Sequence, residues 1–469
     1  MSSRILIAGL RGGSGKTIVS LGLIASCRRR GMRVAPFKKG PDFIDAGWLA
    51  LAAGQPCHHL DPFLMSSQTI LDSFHARTEP GALSVIEGNR GLYDGMDVQG
   101  SASTATVAKL LQVPVVLVVD CTKSTRTVAA LVLGCQRLDP EVRIQGVILN
   151  RVGGARHKAI VSASIEAYCG LKVLGAIPRI KEAAMPERHM GLVPTPEHDR
   201  AVSAVEKAVE MAERHLDLDG ILSLAEHAGP LPAGGGAIRD LFFKSDARDL
   251  SGFGGPGPRI GVIQDAAFQF YYPENLEALE VAGARLIRVS ALHDEGLPSL
   301  DGLYIGGGFP ETQAEALARN ERFRKELASL AETGLPIYAE CGGLMYLGRE
   351  LVLKEGTFPM VGVLPVVFGF SKRPQGHGYT VLQVKRPNPY FEPGAEIRGH
   401  EFHYSTVLDW GGSPEDLAFR MVRGGGLDGA GDGLCYQNTL ATYTHIHALG
   451  TPSWAGAMVE AARRWRAKK

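Results

Sequence analysis

The chain contains no run of about 18 apolar residues, so no segment reads as a membrane span. Its start, Met1–Leu10, enters a strand-like segment directly, without a basic stretch, a long apolar stretch and a small-residue cleavage site in succession. Excess charge of one sign is also missing. Fifty Lys and Arg face 49 Asp and Glu, a formal balance of +1, which argues against a generally basic nucleic-acid binder and leaves room only for a local basic patch. Paired cysteines are absent as well. Cys27, Cys57, Cys121, Cys135, Cys169, Cys341 and Cys435 are scattered, odd in number and form no C-x-x-C. A disulfide scaffold or zinc knuckle is thereby excluded, and a reducing compartment fits. The expectation is a cytoplasmic protein with neither a membrane nor a nucleic-acid partner.

The 45% hydrophobic content excludes disorder of the whole chain. A length of 469 residues suggests two or three domains. Short apolar runs recur at Ile5–Gly9, Val34–Lys38, Ser84–Glu87, Val115–Asp120, Gly146–Asn150 and Val173–Ile177, with helix-like segments such as Ile18–Arg30 between them. Strands buried on both faces by crossover helices read this way, so the fold class is α/β with a parallel sheet. The Gly/Pro-rich segments 228–236 and 251–258 carry no periodicity and mark a linker over 228–258. A second α/β pattern follows, with runs at Arg259–Gln264, Arg285–Val289, Gly302–Ile305, Pro336–Ala339 and Gly378–Val384. The expected domains are 1–227 and 259–469, with no internal repeat between them.

Gly9–Thr17 reads GLRGGSGKT between a strand and a helix. The backbone N–H groups of Gly12, Gly13, Ser14 and Gly15 are suited to cradle phosphate, helped by the helix N-terminus. Lys16 would reach the outer phosphates and Thr17 would ligate Mg²⁺. Leu10 stands where the first glycine of the usual motif belongs. Asp42, Asp45, Glu87 and Asp94 sit at or just beyond strand ends, where open α/β sheets bind ligands, and each alone could equally be a solvated or capping acid. Lys38 and Lys39 could offset phosphate charge. Asn150, ending GVILN, could offer its amide to a nucleobase or simply make a turn.

In the second half, LPIYAECGG precedes the helical LMYLGREL. A strand, a small-x-Cys-x-small turn and a helix make a nucleophile elbow, in which Cys341 is the nucleophile. The helix N-terminus should lower the thiol pKa. Gly342 supplies half of an oxyanion hole, and Gly307 and Gly308, in the run Gly306–Gly308, supply the other half. The expected base is His445 in ATYTHIHAL; His447 lies two residues on and could orient it or fill space. His377, His400 and His403 are weaker candidates.

These motifs, with FKKGPDFID, VIEGNRGLYDG, GVILNRV followed by Arg156-His157, PERHMGLV, DAAFQFYYPENL, GLYIGGGFPE and GHEFHYS, resemble the cobyrinic acid a,c-diamide synthase family. That family joins a dethiobiotin-synthetase-like P-loop domain to a class I glutamine amidotransferase domain. The resemblance covers nearly the whole chain in the right order. It implies the Cys341–His445 pair, nucleotide contacts from Gly12 to Thr17 and at Asn150, Mg²⁺ at Thr17, Asp45 and Glu87, and phosphate or substrate contacts at Lys38, Asp42 and Asp94. The implied cofactor and co-substrate are Mg²⁺ and ATP, and the implied partners are glutamine and a tetrapyrrole polycarboxylate. A homodimer is the candidate assembly. Two departures stand out. His447 occupies the place where most of the class carries Glu, and Arg11-Gly12-Gly13 replaces Ser-rich loop residues.

The implied chemistry is phosphorylation of acetates a and c in turn, each acyl phosphate then accepting ammonia freed from glutamine. An interior ammonia passage would be needed. Relatives act on cobyrinic acid, hydrogenobyrinic acid, nickel-sirohydrochlorin or sirohaem, and motifs do not separate these substrates. Cobyric acid synthase is a further alternative within the family. A partitioning-type regulatory ATPase, with Arg11 in place of its signature lysine, and a tetrapyrrole-binding module with an inactive glutaminase half are the readings from other classes.

Overall fold

The computed structural model describes residues 3–179, 187–188, 191–192, 201–242 and 256–469. The chain divides into two compact units, Met1–Ile238 and Arg239–Lys469. Both are α/β. Among the described residues no helix is long and apolar enough to cross a membrane.

The first unit is built on seven strands: β1 (Ser3–Gly9), β2 (Val34–Lys39), β3 (His58–Leu60), β4 (Leu83–Glu87), β5 (Val115–Asp120), β6 (Ile144–Val152) and β7 (Lys172–Pro178). Their order is β3-β2-β4-β1-β5-β6-β7, and every neighbouring pair is parallel. The apolar runs are continuous because both faces of the sheet are covered. Ile5, Ile7, Val85, Val116, Val118 and Ile148 are all buried in one core. β1 lies between β4 and β5, while the next strand in the chain, β2, lies beyond β4. The chain therefore departs to opposite sides of β1, and the carboxyl ends there flank a crevice. Helix α1 (Lys16–Arg29) closes tightly on the helix Ala201–His215. Gly22 makes this possible, since an added Cβ would lie 2.5 Å from the Ala208 carbonyl oxygen.

β3 has no counterpart among the sequence-derived strands, because three residues are too few to show a period. Of PERHMGLV, Glu187–Arg188 and Gly191–Leu192 form an antiparallel ribbon; its other residues lie outside the described ones. Residues 243–255 of the expected linker also lie outside them. The described start of that stretch makes specific contacts with the first unit. Buried Arg4 donates to the carbonyls of Ala228, Gly229 and Pro230 at 3.2–3.3 Å, and His75 Nε2 lies 2.9 Å from the Pro232 carbonyl oxygen. Low periodicity here reflects irregular backbone, whose polar groups still find partners.

The second unit holds a six-stranded sheet in the order Arg285–Val289, Arg259–Ile263, Gly302–Ile305, Ile337–Glu340, Thr439–Thr442, Leu434–Tyr436. The first five are parallel and the last is antiparallel. A separate five-stranded sheet contains Gly376–Val384, Glu396–His403 and the short strand His445–Ile446. Cross-strand pairing sets His400 opposite His445.

Candidate active sites

The turn from β1 to α1 takes the form its glycines predict. Gly13 and Gly15 adopt φ of 70° and 96°, a region open to glycine at little cost. Ser14 fastens the loop by donating from Oγ to the Arg11 carbonyl at 2.9 Å. A Cβ added to Gly12 or Gly13 would meet nothing within 4 Å, so that side of the loop is open. Asn150 lies against the opposite side, donating from Nδ2 to the Ser14 carbonyl at 2.8 Å while its Oδ1 accepts from the Arg151 N–H at 2.8 Å. In this arrangement its amide braces the loop.

Lys16 Nζ donates to the Arg90 carbonyl at 2.8 Å. Burial, then Lys38, lowers its pKa, opposed by Glu87, Asp45 and Asp94. Beside it, Lys38 Nζ lies 2.7 Å from Asp45 and 2.6 Å from Glu87. Burial works against the Lys38 ammonium, but these carboxylates outweigh it and raise its pKa. Glu87 is raised chiefly by burial. Burial pushes Asp45 the same way, but Lys38 holds it below the usual range. Asp42 caps the helix Phe43–Ala53 by accepting from the Asp45 N–H at 2.7 Å. Burial, with the charge of Asp45, pushes the Asp42 carboxyl up to about 6. Asp94 accepts from the Gly91 N–H at 2.8 Å.

The expected metal ligands are partly assembled. Thr17 Oγ1 donates to Glu87 Oε1 at 3.2 Å, and Glu87 Oε2 is buried without a hydrogen-bond partner. An orphaned carboxylate oxygen beside a hydroxyl suits a hard cation such as Mg²⁺, which takes one or two protein oxygens and completes its shell with phosphate and water. Lys38 sits between Glu87 and Asp45. Arg11, the unusual loop residue, ion-pairs with Asp120 at the end of β5 at 3.1 Å, and Arg151 joins it at 2.7 Å. A cavity of about 720 Å³ opens beyond these strands, lined by Lys123, Arg151, Arg156 and Arg179 among others.

In the second unit the elbow is present. The strand Ile337–Glu340 ends at Cys341, and the helix Gly342–Leu347 begins one residue later. Cys341 has φ 45° and ψ −98°, a strained conformation for a residue with a side chain. Glycine is needed two residues on: a Cβ on Gly343 would lie 2.5 Å from the Ile305 carbonyl oxygen. Gly307–Gly308 pairs antiparallel with Phe268–Phe270 and touches both halves of the site. A Cβ on Gly342 would come 3.0 Å from the Gly308 nitrogen, and one on Gly307 would come 2.4 Å from His445 Cε1. The three expected oxyanion glycines thus converge around the elbow and His445. The thiol does not follow expectation. Its pKa is raised by burial and by the carboxylates of Glu311, Glu340 and Glu401, against the Gly342 N–H, which favours the thiolate. One helix turn cannot outweigh desolvation and three acids.

His445 Nδ1 lies 3.2 Å from Glu340 Oε2. Glu340 adjoins Cys341 in sequence, but nothing local signals its partner 105 residues away. His447 Nε2 lies 3.5 Å from Glu274, and its ring is 4.6 Å from that of Tyr272. His400 stacks on His445 at 5.0 Å, His403 stacks on Tyr443 at 3.7 Å, and His377 packs edge-on against Phe402 at 4.8 Å.

Comparison with known proteins covers both units. Residues 5–193 match the CobQ/CobB/MinD/ParA nucleotide binding domain, and residues 259–453 match the CobB/CobQ-like glutamine amidotransferase domain. The cobyrinate a,c-diamide synthase of Magnetococcus marinus is 43% identical, over 99% of this chain and 97% of its own length. That of Archaeoglobus fulgidus is 43% identical over 98% of each. That of Methanothermobacter thermautotrophicus is 39% identical over 96% of this chain and 98% of its own.

Proposed function

Since this chain belongs to the cobyrinate a,c-diamide synthase family, we propose that it amidates the a and c acetates of cobyrinic acid, using one ATP and one glutamine for each. The observation that carries this reading is the presence, in one chain, of an open GKT loop above buried Lys16, Lys38 and Glu87 and of a strained Cys341 elbow beside His445. A carboxylate is a poor electrophile at neutral pH. Transfer of the γ-phosphoryl group to an acetate oxygen makes an acyl phosphate that ammonia can attack, releasing phosphate. Lys16 and the loop N–H groups bind and orient the phosphates. Thr17, Glu87 and Asp45 would hold Mg²⁺, which neutralises phosphate charge when bound. Lys38 and Asp42 position the reacting groups, and Asp94 fixes the turn after β4. The cation-lined cavity supports the reading of an anionic ligand.

At the second site the Cys341 sulfur attacks the glutamine side-chain carbonyl. The thiol proton passes to His445 and on to the departing nitrogen, which leaves as ammonia; water then cleaves the glutamyl thioester. The N–H groups of Gly342 and Gly308 face the oxyanion. The enzyme works in the cytoplasm, and a homodimer is its assembly.

Cys341→Ala is expected to abolish glutamine-dependent synthesis and to leave synthesis from added ammonia intact, whereas Lys16→Ala stops synthesis from either source. Product assays with both nitrogen donors check this. Survival of glutamine-dependent synthesis in Cys341→Ala, or loss of ammonia-dependent synthesis in the folded variant, would overturn the division of labour.

A further inference from the structure

The position two residues after the proposed base carries His447, whose Nε2 lies 3.5 Å from Glu274, so no carboxylate follows the base at that spacing. We propose that Glu340, the residue immediately before the nucleophile, is the positioning residue of the glutaminase site. This rests on the reading of Cys341 and His445 as the reacting pair.

Glu340 ends its strand in register with Thr442, three residues before His445. Its carboxylate contacts the base in two ways. Oε2 meets His445 Nδ1 at 3.2 Å, and Oε1 accepts the Ile446 N–H at 3.2 Å. One carboxylate thus holds both the ring and the backbone that carries it. A carboxylate only accepts, so this bond places the ring proton on Nδ1 and leaves Nε2 as the basic nitrogen for the thiol proton.

Glu340 is itself held. Tyr304 donates its hydroxyl to Glu340 Oε2 at 3.2 Å, and Asn275 donates to the Tyr304 oxygen at 3.2 Å. Asn275 also spans the far side of the base's strand, donating to the Ile446 carbonyl at 2.9 Å and accepting the Ala448 N–H at 2.7 Å. Asn275, Tyr304, Glu340 and His445 are all buried. A buried network satisfied this fully fixes one geometry. Its placement has a consequence for the elbow. The nucleophile and the orienting acid are consecutive residues, so the strained turn that presents the sulfur also sets the ring that serves it. In the familiar triad the acid lies on a separate element; here one strand end carries both.

The test compares Glu340→Gln with wild type and with Cys341→Ala. The isosteric amide retains the packing and can donate to Nδ1, which favours the wrong tautomer. Glutamine hydrolysis is expected to fall in kcat by about 10²–10⁴-fold, as for loss of an orienting carboxylate, with KM for glutamine changed less than about threefold. In a His445→Ala background the same substitution should change the residual rate less than about threefold, because Glu340 acts through the ring. Synthesis from added ammonia, which does not use this site, and the thermal midpoint report on folding. A kcat within about threefold of wild type, a change confined to KM, or full additivity with His445→Ala would overturn the proposal. Should Cys341→Ala itself retain glutamine hydrolysis, the underlying assignment of the pair falls instead.

Discussion

Asp42 shows how one side chain serves two ends. As the N-cap of the helix Phe43–Ala53 it accepts the Asp45 N–H at 2.7 Å, and it faces the Asp45–Lys38–Glu87 cluster. Burial and Asp45 push its carboxyl up to about 6, whereas in the unfolded chain it titrates near 4. The folded protein therefore holds this proton more tightly than the unfolded one. The stability it contributes is fully present below about pH 4 and is lost as pH rises through about 6. Asn keeps the cap and removes the titration. Relative to wild type, Asp42→Asn is thus expected to gain stability progressively between about pH 4 and 6 and to level off above. Urea unfolding at stepped pH measures the difference; parallel curves across that window would contradict the assignment. Cys341 gives the complementary lesson. The elbow pattern marks the turn on which the thiol stands, but burial and then Glu311, Glu340 and Glu401 raise its pKa, and no local motif encodes them.

At the scale of elements, legibility follows periodicity and chain distance. The six strand-like runs of the first half became strands because buried parallel strands are continuous apolar runs; β3, with three residues, had too little pattern to register. Glycines were legible where a turn demanded them, and their steric reasons emerged only in three dimensions. Gly307 is the sharpest case. It has no left-handed backbone to justify glycine, yet a Cβ there would sit 2.4 Å from His445 Cε1. Gly307→Ala should therefore fold normally and displace the imidazole. A shift of the base by about 1 Å costs on the order of 10²-fold in rate, so glutamine hydrolysis should drop by about that factor while ammonia-dependent synthesis continues. Steady-state assays with each nitrogen source check it, and an unimpaired glutaminase would show that the ring needs no such clearance. The same element-level reasoning explains Asn150. A turn asparagine and a nucleobase contact looked alike in sequence, and the bond to Ser14 gives it a bracing role that joins β6 to the phosphate loop.

The whole molecule is almost electrically neutral, with 50 basic and 49 acidic side chains, so a polyanionic substrate finds little long-range attraction and must be recognised locally. Local charge is available: Lys16 and Lys38 lie beneath the loop, and Lys123, Arg151, Arg156 and Arg179 line the nearby cavity. Such groups recognise carboxylates and phosphates in general, which is why the motifs reveal an amidating ligase more readily than they reveal its macrocycle. The two catalytic readings nevertheless fix the stoichiometry. Every amide formed replaces a carboxylate hydroxyl by an amino group and requires one phosphoryl transfer and one glutamine cleavage. Incubation with ATP-Mg, glutamine and a panel of cobyrinic acid, hydrogenobyrinic acid, nickel-sirohydrochlorin and sirohaem is expected to give a diamide from cobyrinic acid and then to stop, with ADP and glutamate each released once per amide. High-resolution mass spectrometry counts the exchanges directly. A diamide from another member of the panel with none from cobyrinic acid would reassign the substrate while leaving both sites as described. Amidation beyond two carboxylates would place the enzyme with cobyric acid synthase, because a site that reads only two acetates has no reason to turn the ring again.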